Sequence, residues 1–64
     1  SAVRFPNAPG GPMRLRAPNG VLFGKASIEP HHTRVPLTAA GRRALARHAM
    51  VVITFLHVTW RTRL

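Results

Sequence analysis

The sequence has no cysteine and only one acidic residue, Glu29. The first absence excludes a disulfide framework, a thiolate metal site and a thiol nucleophile. The second excludes paired-carboxylate acid–base chemistry, and with only Ser1 and Ser27 as serines the supply of nucleophiles is thin. No catalytic residue, and hence no enzyme and no small-molecule substrate, is expected. His31 and His32 adjoin Glu29, but the segment is bounded by prolines and offers no further ligands, so no metal site is expected either. His48 and His57 are nine positions apart, on opposite faces of a helix at about 100° per residue, and cannot share an ion. "NAPGGP" lacks the lysine and the strand-to-helix setting of a phosphate loop, and nothing else suggests a cofactor.

What is abundant is positive charge. Ten Lys/Arg give a net charge of +9, and all of them except Lys25 are arginine, the residue suited to bidentate phosphate or carboxylate contacts. Such a chain repels itself and calls for a polyanion, an anionic lipid surface or acidic protein subunits. Sixty-four residues with six prolines and five glycines make at most one small domain, so folding within a larger assembly is the expectation. The start at Ser1, with no secretory signal, is taken as mature sequence left after processing.

The two halves differ. All six prolines and four of the five glycines lie in residues 1–36, where no long helix fits. "NAPGGP" and "APNG" are turn chemistry, "VLF" between Gly20 and Gly24 suits either a short strand or side chains docked in a neighbour's groove, and the recurrence of "RFPN" and "RAPN" is compositional bias. This half is expected to be an extended, basic arm with no core of its own. From Pro36 onward there is no further proline, and Thr38 is a plausible N-cap, so a helix is expected to start near Leu37–Ala39 and run through residues 37–64. Gly41 weakens its first turn by about 1 kcal/mol relative to alanine. "VVITFLHVTW" is rich in β-branched and aromatic residues and also suits a strand. The Ala/Arg/Leu lead-in and the lack of a breaker favour helix.

No apolar run is long. The twelve residues Ala49–Trp60 reach about 18 Å as a helix, against a bilayer core of about 30 Å. Counting from Ala44 to Trp60 gives seventeen residues and about 26 Å, with Arg47 and Arg61 sending guanidinium groups out to the headgroups. A single transmembrane segment over about 44–60 is therefore expected, and the fold class is mostly α, one short transmembrane helix behind an extended Pro/Gly-rich arm. Arg42, Arg43 and Arg47 are assigned to one headgroup layer and Trp60 and Arg61 to the other, with Leu45, Val52, Phe55 and Leu56 in helix packing. Arg34, Arg42, Arg43 and Arg47 outnumber Arg61 and Arg63, which puts the arm on the matrix side. His57, inside the run, is expected to be a neutral hydrogen-bonded imidazole.

"SIEPHHTRVPLTAAGRRALARHAMVVITFLHVTWRTRL" resembles the small AGGG-type accessory subunit of mitochondrial respiratory complex I. Ile28, Glu29 and Pro30, then Pro36, Leu37 and Thr38, then the run up to Trp60 and Arg61 carry the resemblance. It implies a non-catalytic supernumerary subunit of the membrane arm in the mitochondrial inner membrane, whose partners are other subunits and anionic lipid such as cardiolipin. Two alternatives stand beside it. One is a mitochondrial ribosomal protein whose basic arm (Arg4, Arg14, Arg16, Lys25, Arg34, interleaved with Phe5 and Phe23) binds RNA. The other is a single-span subunit of ATP synthase or of another respiratory complex.

Overall fold

The computed structural model describes residues 1–64, and both halves of the chain build one core. The elements are β1 (Ala2–Arg4), β2 (Gly11–Arg16), β3 (Leu22–Ile28), β4 (Arg34–Pro36), α1 (Ala39–Ala46), β5 (Met50–Phe55) and β6 (Val58–Arg63). Four strands form an antiparallel sheet in the order β3-β2-β5-β6, and β1 pairs with β4 in a separate two-stranded ribbon.

In β2, "GPMRLR" alternates, with Met13 and Leu15 buried and Pro12, Arg14 and Arg16 exposed, the period of a half-buried strand. Met13 stands opposite Ala26 and Phe55, and Leu15 opposite Gly24 and Ile53, so the inner face is apolar across three strands. The ribbon and α1 cover that face. Val35 and Ala44 are fully buried, and Val3 packs at the margin of the core. Five core residues (Met13, Leu15, Phe23, Ile28, Val35) come from positions 1–36 and five (Leu37, Ala44, Val51, Ile53, Phe55) from 37–64. The folded chain exposes 4308 Å², close to the roughly 4,000 Å² expected of a compact monomer of 7.0 kDa.

The mostly α architecture with a transmembrane helix and a coreless arm is therefore corrected: this is a small β-rich domain, and no helix in it is long and apolar enough to cross a membrane. The helix begins where expected. Thr38 caps it, its Oγ1 accepting from the Gly41 N–H at 3.1 Å. It stops at Ala46, because His48 takes φ 52° and the chain closes in a Schellman arrangement, with the N–H of His48 donating to Leu45 O and that of Ala49 to Ala44 O. The expected span is instead a hairpin. Phe55 pairs with Val58 across a two-residue turn, Leu56–His57, and Leu56 has φ 56°. Val51, Ile53 and Phe55 point into the core at period 2. A continuous helix would scatter those side chains around its axis, whereas the strand buries all three against Leu15 and Met13.

The second layer sits close to β3. A Cβ on Gly24 would lie 2.6 Å from Pro36 O, and one on Gly41 would run into the Phe23 carbonyl. The same contact is fixed by hydrogen bonds, Thr38 N–H to Phe23 O at 2.8 Å and Thr38 Oγ1 to Leu22 O at 2.8 Å. Alanine for glycine at an open helical position stabilises by about 1 kcal/mol. Gly41→Ala is predicted to do the reverse, lowering stability by about 1–3 kcal/mol through overpacking. Urea denaturation checks it, and a more stable variant would contradict the close approach.

Candidate nucleic-acid interface

The outer face of the four-stranded sheet is uncovered and basic. Side chains that alternate with the core residues emerge there: Arg14 and Arg16 from β2, Lys25 from β3, Arg61 and Arg63 from β6, all exposed. The register sets them in rows. Arg14 stands directly opposite Lys25 on one side and Thr54 on the other, and Thr54 opposite Thr59. In the next outward-facing row Arg16 is opposite Val52, which is opposite Arg61, and Met50 is opposite Arg63. Arginines two apart along a strand are separated by about 6.6 Å, and Arg16 and Arg61, two strands apart, by about 9.5 Å. A shallow trough of ≈ 310 Å³ runs between β2 and β3, bordered by Pro12, Arg14, Lys25 and Ser27.

Nothing in the protein neutralises this face. The one carboxylate side chain, Glu29, lies past the end of β3 in a bridge with His32. Of the Lys and Arg side chains only Arg42 and Arg63 make hydrogen bonds, to the carbonyls of Leu37 (3.2 Å) and His48 (3.3 Å). The remaining guanidinium groups keep all their donors free, which is the equipment for phosphate oxygens. Juxtaposed like charges such as Arg14 and Lys25 lower the stability of the pair. A sheet built this way holds an unbalanced field outward.

The residues singled out from the sequence are dispersed by this fold. Arg42 and Arg43 lie on the exposed side of α1, and Arg47, also exposed, is its C-cap residue. Trp60 and Arg61 are neighbours on β6 but face opposite sides: Arg61 joins the basic face, while Trp60, opposite Ile53, lies on the core side at 38 % exposure. The expected helix-packing set does not share a helix. Leu45 is half-buried on α1, Val52 is half-buried on the open sheet face, Phe55 is in the core and Leu56 is in the exposed turn. His57 is exposed at the tip of the hairpin, and the Nδ1 of His48 is 3.0 Å from Leu64 O.

Arg14, Arg16 and Lys25 were among the RNA-binding candidates of the arm, whereas Arg61 and Arg63 were not. The signal was the alternation "VTWRTR", whose outward set is Thr59, Arg61 and Arg63 once the segment is read at period 2. No three His, Asp or Glu side chains come together to hold a metal ion. Comparison with protein-family models, with curated proteins and with solved structures gave no match.

The repulsion across β2–β3 gives a direct check on the field. Lys25→Glu converts a like-charge pair into an opposite-charge pair and is predicted to raise stability by about 0.2–1 kcal/mol at low salt. The gain should shrink as added salt screens it. Thermal melts at two ionic strengths measure this, and a destabilised variant at low salt would contradict the field.

Proposed function

We propose that this chain is a nucleic-acid-binding domain that uses the open face of its four-stranded sheet to contact phosphate backbone without reading base sequence. The observation that carries this is the convergence of Arg14, Arg16, Lys25, Arg61 and Arg63 on one uncovered face, with no carboxylate opposite any of them. Guanidinium groups bind phosphate oxygens bidentately, and a row of them displaces counterions from a polyanion. Thr54 and Thr59, exposed between the arginines, add hydroxyl donors for the same backbone. No helix or loop projects from this face to enter a groove, so affinity is expected to depend on charge and salt rather than on sequence.

This keeps the RNA-binding alternative of the sequence reading in altered form: a folded sheet, not an extended arm, presents the charge. The respiratory-subunit expectation drew its mechanism from a membrane span, and the helix that was to supply it ends at Ala46. Acidic protein surfaces attract the same field, but the apolar side chains at the middle of this face, Met50 and Val52, are half-buried and stand opposite arginines, which suits a phosphate backbone better than a protein interface, whose core is depleted of charge.

The test is salt-dependent binding of a labelled mixed-sequence DNA duplex, followed by fluorescence anisotropy. With five contacts the slope of log K against log salt should approach about −4.5, and Arg14→Ala or Arg61→Ala should each make it shallower by about 0.9. Arg42→Ala, a change on α1, should leave it in place. Slopes indifferent to Arg14 and Arg61, or affinity that depends strongly on duplex sequence, would refute the proposal.

A further inference from the structure

A second cluster of cationic side chains lies on the opposite side of the molecule. Val3 and Val35 of the β1–β4 ribbon point into the core, so the adjacent pair, Arg4 and Arg34, points away from it. These arginines are directly opposite one another, an unfavourable cross-strand pair with no acidic partner. The chain between β3 and β4 returns through a tight turn in which Glu29 and His32 exchange both backbone hydrogen bonds at 3.0 Å. That turn places His31 and His32 beside the arginine pair. Arg4, His31, His32, Thr33 and Arg34 alone line the resulting cleft of ≈ 460 Å³. Two guanidinium groups repel a metal cation and suit an anion.

Arg4 also borders the neighbouring hollow, which has a different character. This one is ≈ 340 Å³ in volume and is walled by Phe5, Pro6, Met13 and Trp60. Trp60 is 38 % exposed and Phe5 is half-buried, so ring surface is available to a planar ligand. A cationic cleft and an aromatic hollow that share one arginine match the two ends of a nucleotide, a phosphate and a flat base.

We infer that Arg4, His31, His32 and Arg34 with Trp60 and Phe5 form a nucleotide site, the phosphate held between the arginines and the base stacked on the aromatic rings. Base–aromatic stacking is tolerant of base identity, and arginine–phosphate contacts add charge-assisted hydrogen bonds. The site deepens the nucleic-acid reading, because a duplex buries its bases and only a single-stranded segment or a free nucleotide presents one. The domain then has two unlike surfaces, a sheet face for backbone and an aromatic cleft for an unpaired nucleotide.

Trp60 is the only tryptophan and borders the hollow, so its fluorescence reports stacking there, while binding to the sheet face, which includes its neighbour Arg61, is read separately by anisotropy. The 64-residue chain is titrated with adenosine 5′-monophosphate, adenosine, inorganic phosphate and a short single-stranded oligonucleotide. The monophosphate is expected to quench Trp60 saturably and to bind more tightly than either adenosine or inorganic phosphate. Arg34→Ala should weaken it by about tenfold, with duplex binding to the sheet face retained. Arg14→Ala with Arg61→Ala should show the reverse, weak duplex binding with nucleotide quenching intact, so loss of one surface is told apart from loss of the other. In the chain carrying Arg14→Ala with Arg61→Ala, where the sheet face is weakened, an oligonucleotide that binds more tightly than the monophosphate shows that the site takes a single strand, and one that does not shows that it takes a free nucleotide; both support the site. No quenching by the monophosphate, equal affinity for inorganic phosphate, or an Arg34→Ala variant that binds the monophosphate like the unaltered chain would overturn it.

Discussion

Two positions without a side chain set the distance at which the β4–α1 segment meets β3, and the core closes only at that distance. Gly24 lies under the Pro36 carbonyl, and Gly41 lies against the Phe23 carbonyl. Thr38, between them, ties the two segments together, donating from its N–H to Phe23 O and capping the helix with its hydroxyl. That contact seats Val35, Leu37 and Ala44 on the inner face of the sheet, where Leu15, Ile53 and Val51 meet them in one core. With only ten residues in that core, a shift of the second layer by the width of a methyl group would open a large fraction of it.

The core contains no charge: all ten of its members are apolar, and no buried side-chain nitrogen or oxygen lacks a partner. All ten cations are therefore at the surface, and β-sheet alternation sorts five of them onto one face. The arrangement has a stability cost, since Arg14 meets Lys25 and Arg4 meets Arg34 across the ladders. It also guards an edge. β6 is paired on one side only, and Arg61 and Arg63 discourage pairing with another copy of a chain that carries +9.

How much of this was legible in the sequence depends on which residues made the turns. The "APNG" turn, with Gly20 at φ 95°, and the Thr38 cap used ordinary chemistry and were readable, and one of the two readings of "VLF" was a strand, although the strand begins at Leu22 and runs on to Ile28. The shared exposure of Arg14, Arg16 and Lys25 on one sheet face was not readable, since it rests on the β2–β3 register. "RFPN" and "RAPN" had looked like bias but mark two strand exits, after Arg4 and Arg16. What hid the C-terminal hairpin was Leu56 and His48. Both adopt positive φ, where glycine or asparagine usually stands, so an apolar stretch with no breaker looked like one long helix. Val52, half-buried on the open face, blurred the alternation further. The β2 strand was concealed in the opposite way, because Gly11 and Pro12 at its start are loop residues by composition. Pairing with β5, forty residues away in sequence, decided both segments, and no local pattern carries that information.

The central claim is that the sheet face, not the helix, meets the phosphate backbone. Backbone amide NMR of the labelled chain during titration with a mixed-sequence DNA duplex tests it residue by residue. The predicted result is that the largest shift changes fall on Arg14, Arg16, Lys25, Thr54, Thr59, Arg61 and Arg63 and diminish as salt is raised. Changes confined to Arg42 and Arg43 on α1 and Arg47 at its C-cap, or none at any residue under low salt, would contradict it.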